Sequence, residues 1–190
     1  RRYSTLGRVE GVEPMPDAVE LCRQRGFEAV TEAGLEDLPL EDARYDLVAA
    51  TDVLEHIEAE REALRELRRV TAPNGVLLLT VPAYMWLWTP EDDNLHHKRR
   101  YTLPRLREAV ESCGWETAFA TYFNTFLLPP IAAVRLLGKR RRSERAGLDR
   151  TPAWLNGPLS VPMRTEAALI RAGVRLPAGV SVGIVCRKAD

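Results

Sequence analysis

Apolar and polar positions divide this chain into short hydrophobic runs separated by segments of helical period. Arg8-Val-Glu-Gly-Val-Glu-Pro14 alternates and stops at a proline, which predicts a strand ending at Glu13. Pro16 and Asp17 then open a helix running to Arg25, with Val19 and Cys22 on one face and Gly26 closing it. Phe27 to Val30 reads as a second short strand, followed by acidic loop residues to Asp42. Tyr45-Asp-Leu-Val-Ala-Ala50 is a near-continuous apolar run, the pattern of a strand buried on both faces. A helix from Ala59 to Val70 places Leu64, Leu67 and Val70 together, with Glu58/Arg61, Glu62/Arg65 and Glu66/Arg69 spaced i,i+3. Pro73-Asn74-Gly75 reads as a turn, and Val76-Leu-Leu-Leu-Thr-Val81 as the clearest strand.

The segment 82–101 reads as a long loop holding two tryptophans, two histidines and a basic cluster. Thr102 caps a further helix, with Pro104 in its first turn, Leu103, Leu106 and Val110 on its buried face, and Gly114 at its end. Trp115 to Phe123 and Val180 to Arg187 read as strands. Strand–helix alternation through residue 114 predicts an α/β fold: a parallel sheet with helices on both faces. The last two strands lack a simple crossover helix, so they are expected to pair antiparallel, with 124–179 inserted between them. The expected organisation is a core of 1–123 and 180–190 carrying a helical cap or lid at 124–179.

Composition narrows the class. Lys+Arg and Asp+Glu both count 27 in 190 residues, which argues against a generally basic nucleic-acid binder. The balance is uneven: residues 1–60 carry 15 acids and 6 bases, and residues 61–190 carry 12 acids and 21 bases. Cys22, Cys113 and Cys186 are odd in number and far apart, without metal-ligand spacing, which suits reduced thiols in a cytoplasmic protein. No metal is expected. No apolar run approaches the roughly 20 residues that span a bilayer.

In an open α/β sheet, ligands sit beyond the carboxyl ends of the strands. Glu13 ends the first strand there. Its two carboxylate oxygens match the adjacent hydroxyls of a ribose, or it is a solvated loop acid. Asp52-Val-Leu-Glu-His56 leaves the end of the apolar strand that begins at Tyr45.

Five pieces now stand in order: Gly11-Val12-Glu13-Pro14, Glu36-Asp37-Leu38-Pro39, Tyr45-Asp46-Leu47-Val48, Asp52 to His56, and Pro73-Asn74-Gly75-Val76-Leu77. Together with His97-Lys-Arg-Arg-Tyr-Thr102, this set resembles the class I S-adenosylmethionine-dependent methyltransferases, over Val9 to Trp115 and the terminal strand. The resemblance implies a Rossmann-like sheet with an antiparallel C-terminal strand pair and S-adenosyl-L-methionine as cofactor. It implies that Glu13 binds the ribose hydroxyls, that residues 34–36, through Leu35 and the backbone near Glu36, line the adenine, and that Asp52 faces the methionine part. Many relatives carry an acid where this chain has Gly34. The family's first strand and glycine-rich loop should precede Val9, yet residues 1–8 contain only Gly7. The expectation is that the parent protein supplies them upstream.

On the acceptor side, His56 and His97 are the candidate catalytic groups, since imidazole takes up a proton near neutral pH; both also read as structural histidines. Arg100 and Tyr101 read as an anion clamp or a plain basic surface, and Trp86 as a substrate wall or a loop anchor. The implied activity is methyl transfer to an O or N acceptor of a small molecule, glycan or lipid-linked substrate. The rivals are a non-catalytic remnant acting in assembly and a nicotinamide-dependent oxidoreductase. Apolar residues 124–137 run into Lys139-Arg-Arg-Arg142, so 124–142 reads either as part of the lid or as a peripheral membrane contact.

Overall fold

A computed structural model describes residues 7–138 and 153–188. Its strands form two separate sheets. Strands β1 (Gly11–Glu13) and β2 (Val30–Glu32) pair in parallel, while β3 (Tyr45–Thr51), β4 (Thr71–Pro82), β5 (Trp115–Phe123) and β6 (Ser181–Lys188) form a four-stranded sheet in the order β3-β4-β6-β5. β3 runs parallel to β4, and β6 lies between β4 and β5, antiparallel to both. The expected antiparallel terminal pair is therefore present.

Helices α1 (Pro16–Gln24), α2 (Glu60–Val70), α3 (Pro90–Asn94) and α4 (Leu103–Glu111) fall between the strands in chain order. Proline occupies the first turn of α1, α3 and α4, where its missing N–H has no intrahelical partner to lose. α2 buries Ala63, Leu64, Leu67 and Val70, a stripe at helical spacing. α4 buries Leu106, Ala109 and Val110. With Leu77, Leu79, Val81, Val182 and Ile184 these side chains form one core. Each fully buried leucine contributes about 1.5–3 kcal/mol. Trp115 joins the two layers, its indole N–H donating to the Leu64 carbonyl at 3.1 Å.

Several local expectations change. The second strand begins at Val30 rather than Phe27, because the Gly26 and Phe27 N–H groups close α1 on the carbonyls of Arg23 and Cys22. Phe27 instead lays its ring on Gly11, where a Cβ would sit 2.9 Å from the ring edge. Residues 73–75 do not end a strand. They bulge within β4, with Asn74 at φ 61°, so that Tyr45 pairs with Thr71 but Leu47 with Val76. Segment 82–101 is not simply a loop; it contains a 3-10 turn at Met85–Leu87 and the helix α3. Thr102 holds the N-cap position of α4 without a side-chain cap bond, and the first free N–H, of Leu103, is taken by the Tyr122 hydroxyl at 3.0 Å.

The largest departure is β3. Its apolar sequence predicts burial on both faces, but Leu47 is 45 % exposed and only Ala50 is buried. β3 pairs with β4 on one side only, and its other edge faces the cleft that separates it from β1.

Between β5 and β6 lie α5 (Leu128–Gly138) and α6 (Ala153–Arg171). The double proline falls at Pro129-Pro130, the first turn of α5. Buried Glu166 of α6 accepts the N–H groups of Asn124 and Thr125, and the Thr125 hydroxyl donates to the Ala178 carbonyl at 2.5 Å. The ends of this long excursion are thus tied together. The basic run Lys139–Arg142 lies outside the described residues.

Candidate active site

A cleft of about 570 Å³ opens between the two sheets. Its long walls are Glu10, Gly11 and Val12 on one side and Tyr45 and Leu47 to Ala50 on the other. One rim is formed by Pro14, Gly34, Leu35 and Glu36, and the other by Val53, His56 and Ile57. These are the segments just past β1, β2 and β3, where an α/β sheet places its ligands. The base is bridged by Glu10, which accepts the Tyr45 hydroxyl at 2.6 Å and the Arg44 guanidinium at 2.8 Å. Those two partners hold the Glu10 carboxyl below its ordinary range.

The predicted cofactor residues stand around this cleft. Leu35 and Glu36 line it directly. Glu13 is half-buried at the end of β1, next to lining residue Pro14, and one of its oxygens accepts the Met15 N–H at 3.1 Å. Asp52 is exposed, next to lining residue Val53, in the left-handed region at φ 54°, and its N–H is held by the Thr80 carbonyl at 2.8 Å. Aspartate tolerates that conformation better than most residues, and the bend turns the chain sharply out of β3. The two carboxylates thus flank the same cleft from the ends of different sheets.

The segment 82–101 is organised by two acids that sequence reasoning missed, buried Asp92 and half-buried Glu60. Asp92 is 2 % exposed and accepts five hydrogen bonds: from Arg100 Nε at 2.8 Å and Nη2 at 3.0 Å, from His97 Nδ1 at 2.9 Å, and from the Thr89 N–H and hydroxyl. Burial pushes its pKa upward, but these donors outweigh burial and the net shift is downward. An ionised carboxylate only accepts, so Nδ1 of His97 carries the hydrogen and Nε2 is left for other work. The signal was present: Thr89-Pro-Glu-Asp92 has the spacing of a helix capping box. Glu60 is the second hub, accepting the Tyr101 hydroxyl at 2.6 Å and Arg99 at 3.2 Å.

These bonds correct the reading of Arg100 and Tyr101 as a substrate clamp. Arg100 is 7 % exposed, with its fork closed on Asp92 and on the Ala83 carbonyl. Tyr101 is wholly buried, and burial raises its pKa. Neither presents a free group to an anion; both position the loop. Trp86 remains on the surface, 47 % exposed, stacked on Tyr84, which stacks in turn on Tyr122 with centroids 5.2 Å apart. Tyr84 takes φ 56°, an uncommon value for a bulky side chain.

His56 ends a 3-10 turn, Leu54–His56. Its ring meets that of His97 edge-on, with centroids 4.6 Å apart. Burial and the neighbouring His97 lower its pKa. Beside them is Glu55, only 1 % exposed, whose pKa burial raises to about 7. Its Oε2 has no hydrogen-bond partner. The ligating atoms of Glu55, His56 and His97 lie within 4.8 Å of one another.

The comparisons with known proteins bear on this arrangement. Residues 1–79 match the methyltransferase domain family. An uncharacterized 37.1 kDa protein in transposon TN4556 of Streptomyces fradiae is 32% identical over 163 residues, 77% of this chain and 47% of that protein. A Mycolicibacterium smegmatis protein named "Probable S-adenosylmethionine-dependent methyltransferase" is 32% identical over 89 residues, 46% of this chain and 35% of its own length. Over these stretches the chain is similar to S-adenosylmethionine-dependent methyltransferases. The structure of Haemonchus contortus phosphoethanolamine N-methyltransferase 2 with S-adenosyl-L-methionine shares the fold, with a TM-score of 0.59 at 14% identity, covering 100% of this chain and 45% of that one. The chain thus spans about half, or less, of the curated relatives it matches. The antiparallel β6 matches the terminal strand pair that the methyltransferase resemblance implied.

Proposed function

We propose that this methyltransferase domain moves a methyl group from S-adenosylmethionine to an oxygen or nitrogen of a small-molecule, glycan or lipid-linked acceptor. The observation that carries the reading is the cleft. One rim holds the Glu13 and Gly34–Glu36 segments, and the other holds His56 beside His97. The cofactor group fits what is there. The cleft falls within the usual 300–1,000 Å³ of small-molecule sites and has largely apolar walls, with Glu13 and Asp52 each adjoining a lining residue, Pro14 and Val53. Glu13 would hold the ribose hydroxyls, Leu35 and Glu36 the adenine, and Asp52 the methionine end.

When bound, the sulfonium supplies an activated methyl group, so that in-line displacement needs positioning and desolvation more than strong acid–base help. The chain's own contribution is to orient the acceptor. His97 is aimed by Asp92, and the Glu55–His56–His97 cluster would receive the acceptor proton. Trp86, stacked on Tyr84, serves as the acceptor-side wall. Residues 124–138 and 153–179 act as the cap over the acceptor. Phe126, half exposed, is a candidate contact for a lipid-linked substrate or a membrane surface. Among the described residues no helix is long and apolar enough to cross a membrane.

Calorimetric titration with S-adenosylmethionine tests this reading. Saturable binding is expected, weakened by about 1–3 kcal/mol in Glu13→Ala, the usual cost of a lost charged hydrogen-bond partner. Absence of binding would favour the non-catalytic remnant. Equal affinity in the variant would remove Glu13 from the site.

A further inference from the structure

We propose that Glu55, His56 and His97 form a binding site for one divalent transition-metal ion at the acceptor end of the cleft. The proposal deepens the methyltransferase reading and rests on it only for what the ion does, not for whether it binds.

Three observations converge. First, the donor set: one carboxylate and two imidazoles offer ligating atoms within 4.8 Å of one another. Metal–ligand distances of about 2.0–2.2 Å place such atoms about 3–4 Å apart, so small side-chain adjustments bring them onto an ion. Two nitrogens and an oxygen suit Zn, Mn, Fe or Co better than Ca or Mg, and leave further positions open.

Second, each imidazole is already oriented by a hydrogen bond at one ring nitrogen. His97 Nδ1 is bound to buried Asp92 at 2.9 Å, and His56 is hydrogen-bonded to the Leu95 backbone. A metal-ligating histidine characteristically gives its second nitrogen to a carboxylate or carbonyl in this way. Asp92 is itself pinned by Arg100 and Thr89, so the ring it aims is held firmly.

Third, Glu55 Oε2 is buried without any hydrogen-bond partner, in a side chain 1 % exposed. Buried polar atoms are nearly always satisfied, and one left bare beside two imidazoles points to a missing partner. A cation supplies it, and offsets the negative charge of Asp52 and Asp92 acting on Glu55.

The ion's function follows from its place. His56 lines the cleft, so an ion held by it would lie beside the space proposed for the acceptor. An acceptor hydroxyl bound there loses its proton to water more readily, because coordination lowers its pKa. The resulting alkoxide forms the new O–CH₃ bond as the S–CH₃ bond breaks, and its electron pair remains on sulfur as the neutral thioether. His97 then acts as a ligand rather than as the base.

The test uses the full chain, freed of metal by chelation and titrated with Co²⁺, whose visible absorption reports coordination. One equivalent should bind saturably, with competition by Zn²⁺. Glu55→Gln and His97→Gln should each lower the affinity at least tenfold, and Asp92→Asn about tenfold. His96→Gln should leave it unchanged. Far-UV circular dichroism identifies any variant that fails to fold. For that case, histidine ring NMR signals of the unsubstituted protein provide the second readout: Co²⁺ should shift those of His56 and His97 well ahead of His96. No saturable absorption, or equal affinity in folded variants, or strongest perturbation of His96, would overturn the proposal. Cofactor titration of the metal-free protein separates the two readings. Cofactor binding without metal binding defeats the ion alone, and metal binding without cofactor binding defeats the methyltransferase assignment alone.

Discussion

The two ends of the cleft are built differently. On the side proposed for the acceptor, Asp92 and Glu60 gather Arg99, Arg100, Tyr101, His97 and Thr89 into a closed network, in which Asp92, Arg100 and Tyr101 are buried although much of the loop around them is exposed. On the cofactor side, β1 and β3 belong to separate sheets and face each other across the cleft, with Glu10, Arg44 and Tyr45 bridging its base. Leu47 and Leu79 make the contrast concrete. Both are leucines in apolar strands, yet Leu79 is wholly buried between β3 and β6 while Leu47 is 45 % exposed on the cleft side. An apolar run records what a strand can bury, whereas the partners present decide what it does bury. The acceptor end carries its own stability, and the cofactor end has surface still available to a ligand.

Substitutions at the two ends should therefore behave differently. The largest effect is expected from Asp92→Ala, which leaves the Arg100 guanidinium buried and unpaired. A loss of about 3–5 kcal/mol is expected in chemical denaturation, and a loss below 1 kcal/mol would show that the network does not hold the loop. Leu79→Ala should cost about 2–5 kcal/mol through the cavity it leaves. Arg69→Ala comes next. Its guanidinium reaches the carbonyls of Leu38 and Leu40 and the carboxylates of Asp42 and Glu66, tying the acidic loop to α2. A loss of about 1–2 kcal/mol is expected, with greater proteolysis near Asp42 as the local signature. Leu47→Ser should be the mildest, within about 0.5 kcal/mol in the free protein. A larger loss would mean that the cleft closes on Leu47 in solution.

Most elements were legible because each carries a local signature. The period of Leu64, Leu67 and Val70 marks α2, and the run Val76–Val81 marks β4. The antiparallel entry of β6 was readable from the missing crossover helix, since a parallel return needs one. What the sequence did not disclose depends on distant partners. Arg100 looks like a surface base until Asp92, eight residues earlier, is seen closing on it. Tyr101 is sealed by Glu60, 41 residues away, and that distance leaves no trace in spacing. Glu55 was passed over between Asp52 and His56, although it is the most deeply buried carboxylate near the cleft. The alternation that stops at Pro14 and the apolar run from Tyr45 located the ends of β1 and β3, while the division of the sheet and the exposure of β3 emerged only from the assembled fold.

The central claim is that the cleft between the two sheets holds the adenosyl cofactor. Amide NMR of the isotopically labelled chain, titrated with S-adenosylhomocysteine, tests it most directly. The account predicts saturable shifts concentrated at residues 11–14, 33–36 and 47–57, with β5 and the far end of β6 quiet. Saturable shifts confined to other surfaces would contradict it.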